Sequence, residues 1–443
     1  MAVKIDSSKI IKPFYEETNN PPSTKDYLPL TVFDIVNYNT QVAVLFAYRP
    51  PTPPNEELEL GLGKALSIYR PWAGRLGEDE KGEQIIRLND EGVKFNVASV
   101  EASLDETVSF EPSPSLRNFH APTQGAEELV QVQLTRFSCG SLIVGFVAHH
   151  FIGDGQATSN FLVAWGRATR GVAIHPMPFL DRSIFTPREP PLFDQFEHRG
   201  VEYMKKKAKI HSSIKSSISG NQDEIEVFKV RYTRDFLAKI KAEASSQKLK
   251  VDGDNRPYST FESLLAHAWR TITKARGLDE DEKTHVRISV NGRMRLTPNV
   301  PNYFGNLVLW AFPTSKSKDL IEEPLAHAAK VIHESVAKIN DDYFKSFIDF
   351  ASFKVKEEEL VPTADVTKPV LCPNVNVDSW LRFEFCDLDF GTGCPFAFVP
   401  SYIPVDGLIF LLPTSREDES VDVIVSLFKD KLEEFKKICY CLE

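Results

Sequence analysis

Residues 149–155 read HHFIGDG and follow directly on the apolar run SLIVGFVA (141–148). Two histidines, an aspartate and two glycines therefore meet where a strand is expected to end. Glycines permit the tight backbone geometry that turns a side chain toward a cleft, and an imidazole with an ordinary pKa of about 6.5 suits proton abstraction near neutrality. His150 is thus a candidate general base. Asp154, four residues on, would share its face only in a helix, and Gly153 argues against one, so the aspartate is expected to point elsewhere and hold the loop. Two rival readings exist. The histidines could be buried structural residues, or two imidazoles and a carboxylate could hold a metal; adjacent strand residues face opposite ways, however, and do not easily share one ion, so no metal is expected. The chain has no GxSxG elbow and no Walker loop. GLGKAL (61–66) lies inside an expected helix and reads as packing, and the DFG at 389–391 lacks every other kinase element.

These residues need elements to position them. ELVQVQLTRFSCGSLIVGFVAHH alternates apolar and polar residues in its first limb, turns at Ser138–Ser141 and returns as a uniformly apolar limb, which predicts a hairpin with a buried second strand. After Gly155, the spacing of Phe161, Leu162 and Trp165 predicts a helix ending at Gly171. Asn55 is expected to cap a helix carrying Leu58, Leu62, Ala65 and Tyr69. In the second half, EIEVFKVRY, SWLRFEF and GLIFLLP read as strands, while LAHAAKVIHESVAKIN and SLFKDKLEEFKKICY read as helices. Ser259 and Glu262 have capping-box spacing at the start of another helix. Strands and helices mix in both halves, so the class is α/β or α+β with a central sheet in each. The stretch 176–223, rich in Pro, Lys and Ser, reads as a crossover between an N-terminal domain (1–175) and a C-terminal domain (224–443).

Composition narrows the function. With 443 residues, 42% of them apolar, the chain can bury a large core. The formal charge of −10 offers no basic face for a nucleic acid. Lys4 and Asp6 stand where a secretory peptide needs an apolar core, and no run approaches the roughly 20 apolar residues of a membrane span. Six cysteines without paired metal-ligand spacing suggest reduced thiols. A cytoplasmic protein that binds no membrane is expected.

A wider set of residues carries a resemblance. The sequence resembles the plant BAHD acyl-CoA-dependent acyltransferases, whose hallmarks are HxxxD and DFGWG: here His150-Phe151-Ile152-Gly153-Asp154 and Asp389-Phe390-Gly391-Thr392-Gly393. YRPWAGRL (69–76), SVNGRMRL (289–296) and YFGNLV (303–308) follow the family's order and spacing, and the likeness runs from KPFYEET to the last helix. It implies two chloramphenicol-acetyltransferase-like domains joined by a long crossover, with a channel through their interface and the histidine at its middle. It also implies acyl-CoA as co-substrate with no bound cofactor, a monomer, and His150 as the base that deprotonates the acceptor without a covalent acyl-enzyme. Asp154 would pair with Arg293, and Asp389, Gly391 and Gly393 would be structural. An indole at the fourth motif position has been proposed in the family to steady the oxyanion; Thr392 replaces it and reaches less far, so packing is its expected role. Ser259 and Thr260 match the CoA-contacting stretch, simple helix capping being the alternative.

For the acceptor, PLTVFD (29–34), DDYFKSFIDFA (341–351), VDSWLRF (377–383) and PSYIPVDGLIFLLP (400–413) resemble the branch that makes hydroxycinnamic amides of agmatine, putrescine, tyramine or tryptamine. A phenolamide-forming N-acyltransferase is the leading expectation. Asn39 stands where the shikimate and quinate branch has a histidine that meets the acceptor's hydroxyls, which weighs against a shikimate acceptor. Arg382 pulls the other way, because it matches that branch's carboxylate clamp. Strand alternation through this segment would put Asp378, Arg382 and Glu384 on one face, and a carboxylate could then pair the arginine. O-acylation of shikimate, quinate or another hydroxyl remains the alternative, and a non-catalytic small-molecule binder of the same fold the second.

Overall fold

A computed structural model describes residues 2–16, 21–206, 224–246, 256–364, 368–414 and 419–442. The principal strands, in chain order, are β1 (Lys4–Ile11), β2 (Gln41–Tyr48), β3 (Val93–Val100), β4 (Val130–Phe137), β5 (Leu142–His149), β6 (Ile225–Tyr232), β7 (Lys283–Asn291), β8 (Val308–Ala311), β9 (Val375–Ser379), β10 (Ala397–Pro400), β11 (Leu408–Pro413) and β12 (Val421–Phe428). The helices used below are α1 (Val32–Ile35), α2 (Asn55–Ile68), α3 (Gly155–Thr169), α4 (Arg234–Ser245), α5 (Thr260–Arg276), α6 (Leu325–Ala337), α7 (Asp341–Glu357) and α8 (Lys429–Ile438). The mixed class read from the sequence is the one observed.

The chain forms two compact units, and neither is contiguous. The first comprises Met1–Pro190, Leu296–Leu307 and Arg382–Tyr402; the second comprises Pro191–Arg295, Val308–Leu381 and Ile403–Glu443. The sequence reading put everything from 224 to 443 in one domain; two segments of it belong instead to the first unit. The reason for one of them is strand pairing: β10 runs antiparallel to β2, with Phe398 opposite Phe46. Of the expected crossover, residues 207–223 lie outside the described residues.

The first unit is built on a six-stranded sheet in the order β1-β3-β4-β5-β2-β10. The hairpin β4–β5 forms as expected, and β5 is buried along its apolar run. In β4 the alternation does not mark a solvent face. Gln131 and Gln133 are buried, and their amides donate to Gln41 Oε1 and Pro122 O (both 2.8 Å) and to Asn118 O (2.9 Å). Both faces of β4 are therefore covered, and its polar side chains are hydrogen-bonded rather than solvated. One face packs Leu45, Val100, Phe119, Phe137, Ile143 and Val399 into a cluster. On the other, Phe146 meets Phe161 of α3 at a ring separation of 6.0 Å.

Helix α3 buries Phe161, Leu162 and Trp165, and the Trp165 indole donates to Leu58 O of α2 (2.8 Å). The GLGKAL string lies inside α2, where a Cβ at Gly61 would fall 2.7 Å from Thr169 Cα. That close approach of two helices is packing, not phosphate binding. Asn55 is the first residue of α2 rather than its cap; Pro54 occupies the cap, and Asn55 Oδ1 accepts from the Arg136 guanidinium (3.0 and 2.8 Å). A charged long-range donor has displaced the local cap.

The second unit holds a seven-stranded sheet, six strands of it in the order β6-β12-β11-β9-β7-β8. Helices α4, α5, α6 and α8 pack together in this unit. The capping box of Ser259 and Glu262 is formed, and α5 ends at Gly277, whose φ of 60° is the left-handed stop that glycine accepts without strain. Among the described residues no helix is long and apolar enough to cross a membrane.

Candidate active site

Strand β5 delivers His149 and ends there; His150 is the first residue of the turn that follows. The His150 main chain is fixed on both sides. Its N–H donates to Thr40 O (2.8 Å), and its carbonyl accepts from Asn306 Nδ2 (2.8 Å). The imidazole is half-buried and stands edge-on to the Tyr38 ring at 5.8 Å. Its Nδ1 is buried without a hydrogen-bond partner. Asp154 caps α3: Oδ1 accepts from the Ala157 N–H (3.0 Å) and Oδ2 from the Leu307 N–H (3.0 Å). The carboxylate therefore turns toward backbone donors on two segments. The glycines leave room for neighbours. A Cβ at Gly155 would lie 2.3 Å from the Phe383 ring, and one at Gly153 would lie 2.9 Å from Ala157 Cβ.

His149, the last residue of β5, is itself partly buried. Burial, with a smaller contribution from the charge of His150, pushes its pKa down to about 4. The unfolded chain, with an ordinary histidine near 6.5, binds more protons across the interval between the two values. The stability contributed by a neutral His149 is therefore complete above about pH 6.5 and is lost as pH falls toward 4. Burial depresses His120, His267 and His285 in the same direction. We expect a melting temperature that falls steadily between pH 6.5 and 4.5. His149→Gln should make that fall shallower, as measured by differential scanning calorimetry; an unchanged slope would remove His149 as a contributor.

The DFGTG segment belongs to the first unit. Asp389 Oδ1 accepts from the N–H groups of Gly391 (2.8 Å) and Gly393 (2.9 Å), whose φ angles of 105° and 107° only glycine adopts easily. Its Oδ2 pairs with Arg170 just past α3 (3.2 Å), and Phe390 packs on Trp165 at 4.8 Å. The turn braces the C-terminal end of α3, and Thr392 is exposed on it.

Of the acceptor candidates, Asn39 is exposed next to Thr40, which takes the His150 N–H. The expected strand over SWLRFEF does not form. Strand β9 stops at Ser379, Arg382 lies in a turn, and Glu384 opens a 3-10 turn, both side chains exposed. Asp378, Arg382 and Glu384 therefore share no strand face, and Asp378 lies in the second unit while the other two lie in the first. In the second unit, Ser259 Oγ accepts from the Glu262 N–H (3.2 Å) and donates to Glu262 Oε2 (2.6 Å), with Thr260 the first helical residue. Glu262 Oε1 also meets His333 Nδ1 (2.6 Å). Arg293 is buried, and its main-chain N–H and Nη1 both reach Asn291 Oδ1 (3.0 and 3.3 Å).

Sequence reasoning assigned no role to Asp34, Arg182 or Asn306. All three are buried. Asp34 forms a capping box with Thr31 at α1, takes Arg182 Nη1 on Oδ2, and accepts from Asn306 N–H and Nδ2 on Oδ1 (both 3.0 Å). The Thr-x-x-Asp spacing in PLTVFD was the readable signal for the cap. Among the described residues no group of three or more His, Cys, Asp or Glu side chains could hold a metal ion.

With the geometry in place, comparison with known proteins locates the chain. The model of the Transferase family matches residues 1–442. Agmatine hydroxycinnamoyltransferase 1 of Oryza sativa subsp. japonica is 50% identical over 100% of this chain and 99% of its own length. Agmatine coumaroyltransferase-1 of Hordeum vulgare is 48% identical over 100% of both. Among solved structures, vinorine synthase superposes with a TM-score of 0.73 at 18% identity, covering 98% of this chain and 96% of that one, a likeness of fold.

Proposed function

Because the chain belongs to the Transferase family, the BAHD acyltransferases that use acyl-CoA as co-substrate, we propose that it moves a hydroxycinnamoyl group from CoA to a primary amine, with His150 as general base. The amine nitrogen attacks the thioester carbonyl carbon. His150 takes the proton shed by the nitrogen, and the carbon–sulfur bond then breaks as the tetrahedral intermediate collapses. The departing CoA thiolate recovers the proton, so charge and atoms balance without a covalent enzyme intermediate. The observation that carries this reading is the loop from His150 to Asp154: a half-buried imidazole, main chain fixed on both sides, ahead of a capped helix. Since Nδ1 is the buried ring nitrogen, Nε2 is assigned the proton transfer.

An amine of the agmatine class is the proposed acceptor and a coumaroyl-type CoA ester the donor, on the strength of the relatives at 50% and 48% identity. Asn39, where the resembled shikimate branch has a histidine, supports the same choice. Asp154, Asp389, Gly391 and Gly393 are proposed as structural supports of the site, and Ser259 and Thr260 as the start of the CoA-contacting helix. A panel of agmatine, putrescine, tyramine, tryptamine and shikimate with one coumaroyl-CoA donor tests the assignment. Turnover is expected with amines. Because only the neutral form of an amine with a pKa near 10 attacks, kcat/KM should rise about tenfold per pH unit between about pH 7 and 9. Turnover with shikimate alone would overturn the amine reading.

A further inference from the structure

We propose that Asn306 is a positioning residue: by holding the His150 carbonyl, and being held in turn by Asp34, it sets the direction of the imidazole. The inference rests on His150 being the base. An imidazole that works by proton transfer is commonly oriented by an acid or carbonyl on its second nitrogen. His150 has no such partner, since its Nδ1 is buried and makes no hydrogen bond. Its aim must come from ring packing on Tyr38 and from the backbone that carries it. That backbone is clamped at N–H by Thr40 O and at the carbonyl by Asn306 Nδ2 (both 2.8 Å).

The Asn306 amide has one orientation available. Nδ2 faces two acceptors, Asp34 Oδ1 (3.0 Å) and His150 O; flipped, it would press its oxygen against both. Asp34 is itself immobilised. It is fully buried, held by the Thr31 N–H and hydroxyl (both 2.8 Å) and by Arg182, and it also accepts the Asn306 main-chain N–H (3.0 Å). The next residue completes the arrangement, because the Leu307 N–H reaches Asp154 Oδ2 (3.0 Å). Residues 306 and 307 thus fasten both ends of the loop. Asn306 Oδ1, by contrast, is buried with no hydrogen-bond partner. The amide therefore acts through Nδ2 alone, whose two donors go to Asp34 and to the His150 carbonyl, and an apolar side chain would leave both acceptors without them.

The test is a double-mutant cycle on turnover. Asn306→Ala should lower kcat by about tenfold to a hundredfold, the scale of a small misplacement of a reacting group, while KM for donor and acceptor changes by less than about threefold. In a His150→Ala background the same substitution should cost nothing further, because there is no imidazole left to aim. Near-ultraviolet circular dichroism and a cooperative melt establish folding. If Asn306→Ala does not fold, Asn306→Ser, whose hydroxyl can serve one acceptor but not two, replaces it. Wild-type kcat in a folded Asn306 variant, an equal loss with and without His150, or failure of both variants to fold would each overturn the proposal. Full turnover in His150→Ala alone would instead remove the base assignment on which the proposal stands.

Discussion

His150→Ala is expected to lower kcat by about two to four decades, the usual scale for removing a general base, while CoA binding by calorimetry and the melting temperature stay close to wild type. The separation of effects follows from the contacts. The ring makes no hydrogen bond through Nδ1, and both polar contacts of the residue are main-chain groups that alanine retains. Little of the fold depends on the imidazole itself. Replacing it should therefore remove chemistry and spare structure. Turnover within a few-fold of wild type would mean that the acceptor loses its proton elsewhere.

Asp154→Ala should behave in the opposite way, damaging the fold first. Its carboxylate satisfies the Ala157 N–H at the start of the 15-residue α3 and the Leu307 N–H from a distant segment. Loss of a helix cap costs about 1 kcal/mol, and a buried N–H left without an acceptor costs about 1–3 kcal/mol more. A combined loss of about 2–4 kcal/mol should lower the melting temperature of a 443-residue chain by roughly 2–4 °C and take activity with it, since the same carboxylate closes the loop that begins at His150. Calorimetry together with the thiol-release assay checks this. A variant with wild-type stability and wild-type turnover would contradict both roles.

Legibility of an element in the sequence depended on whether the deciding interaction was local. The hairpin, the helix after Gly155 and the Ser259–Glu262 capping box are set by neighbours a few residues away, and all three formed as read. SWLRFEF alternates like a strand, yet the chain leaves the ladder after the Trp380 N–H bonds Leu411 O (2.8 Å). Phe383 then fits against Gly155, and Phe385 packs against Phe46 and Phe398 at 5.7 and 5.9 Å. Burial of those aromatic rings overrode the alternation. Asn55 lost its cap role to a guanidinium 81 residues away. The grip of Asn306 on His150 spans 156 residues, and no spacing rule reaches that far. Motif and resemblance could name the histidine; only the fold could show what holds it.

The discontinuity of the two units bears on how the protein is made. Strand β2 pairs on one side with β5, which is synthesised early, and on the other with β10 at Ala397–Pro400. As the chain leaves the ribosome, the first sheet therefore waits with an unpaired edge until most of translation is over, a situation that invites association with other chains. The Asp389 turn that braces α3 arrives equally late. A fragment ending at Pro190 would contain the His150–Asp154 loop but lack one strand of its own sheet, so the first unit cannot be excised as a single stretch of gene.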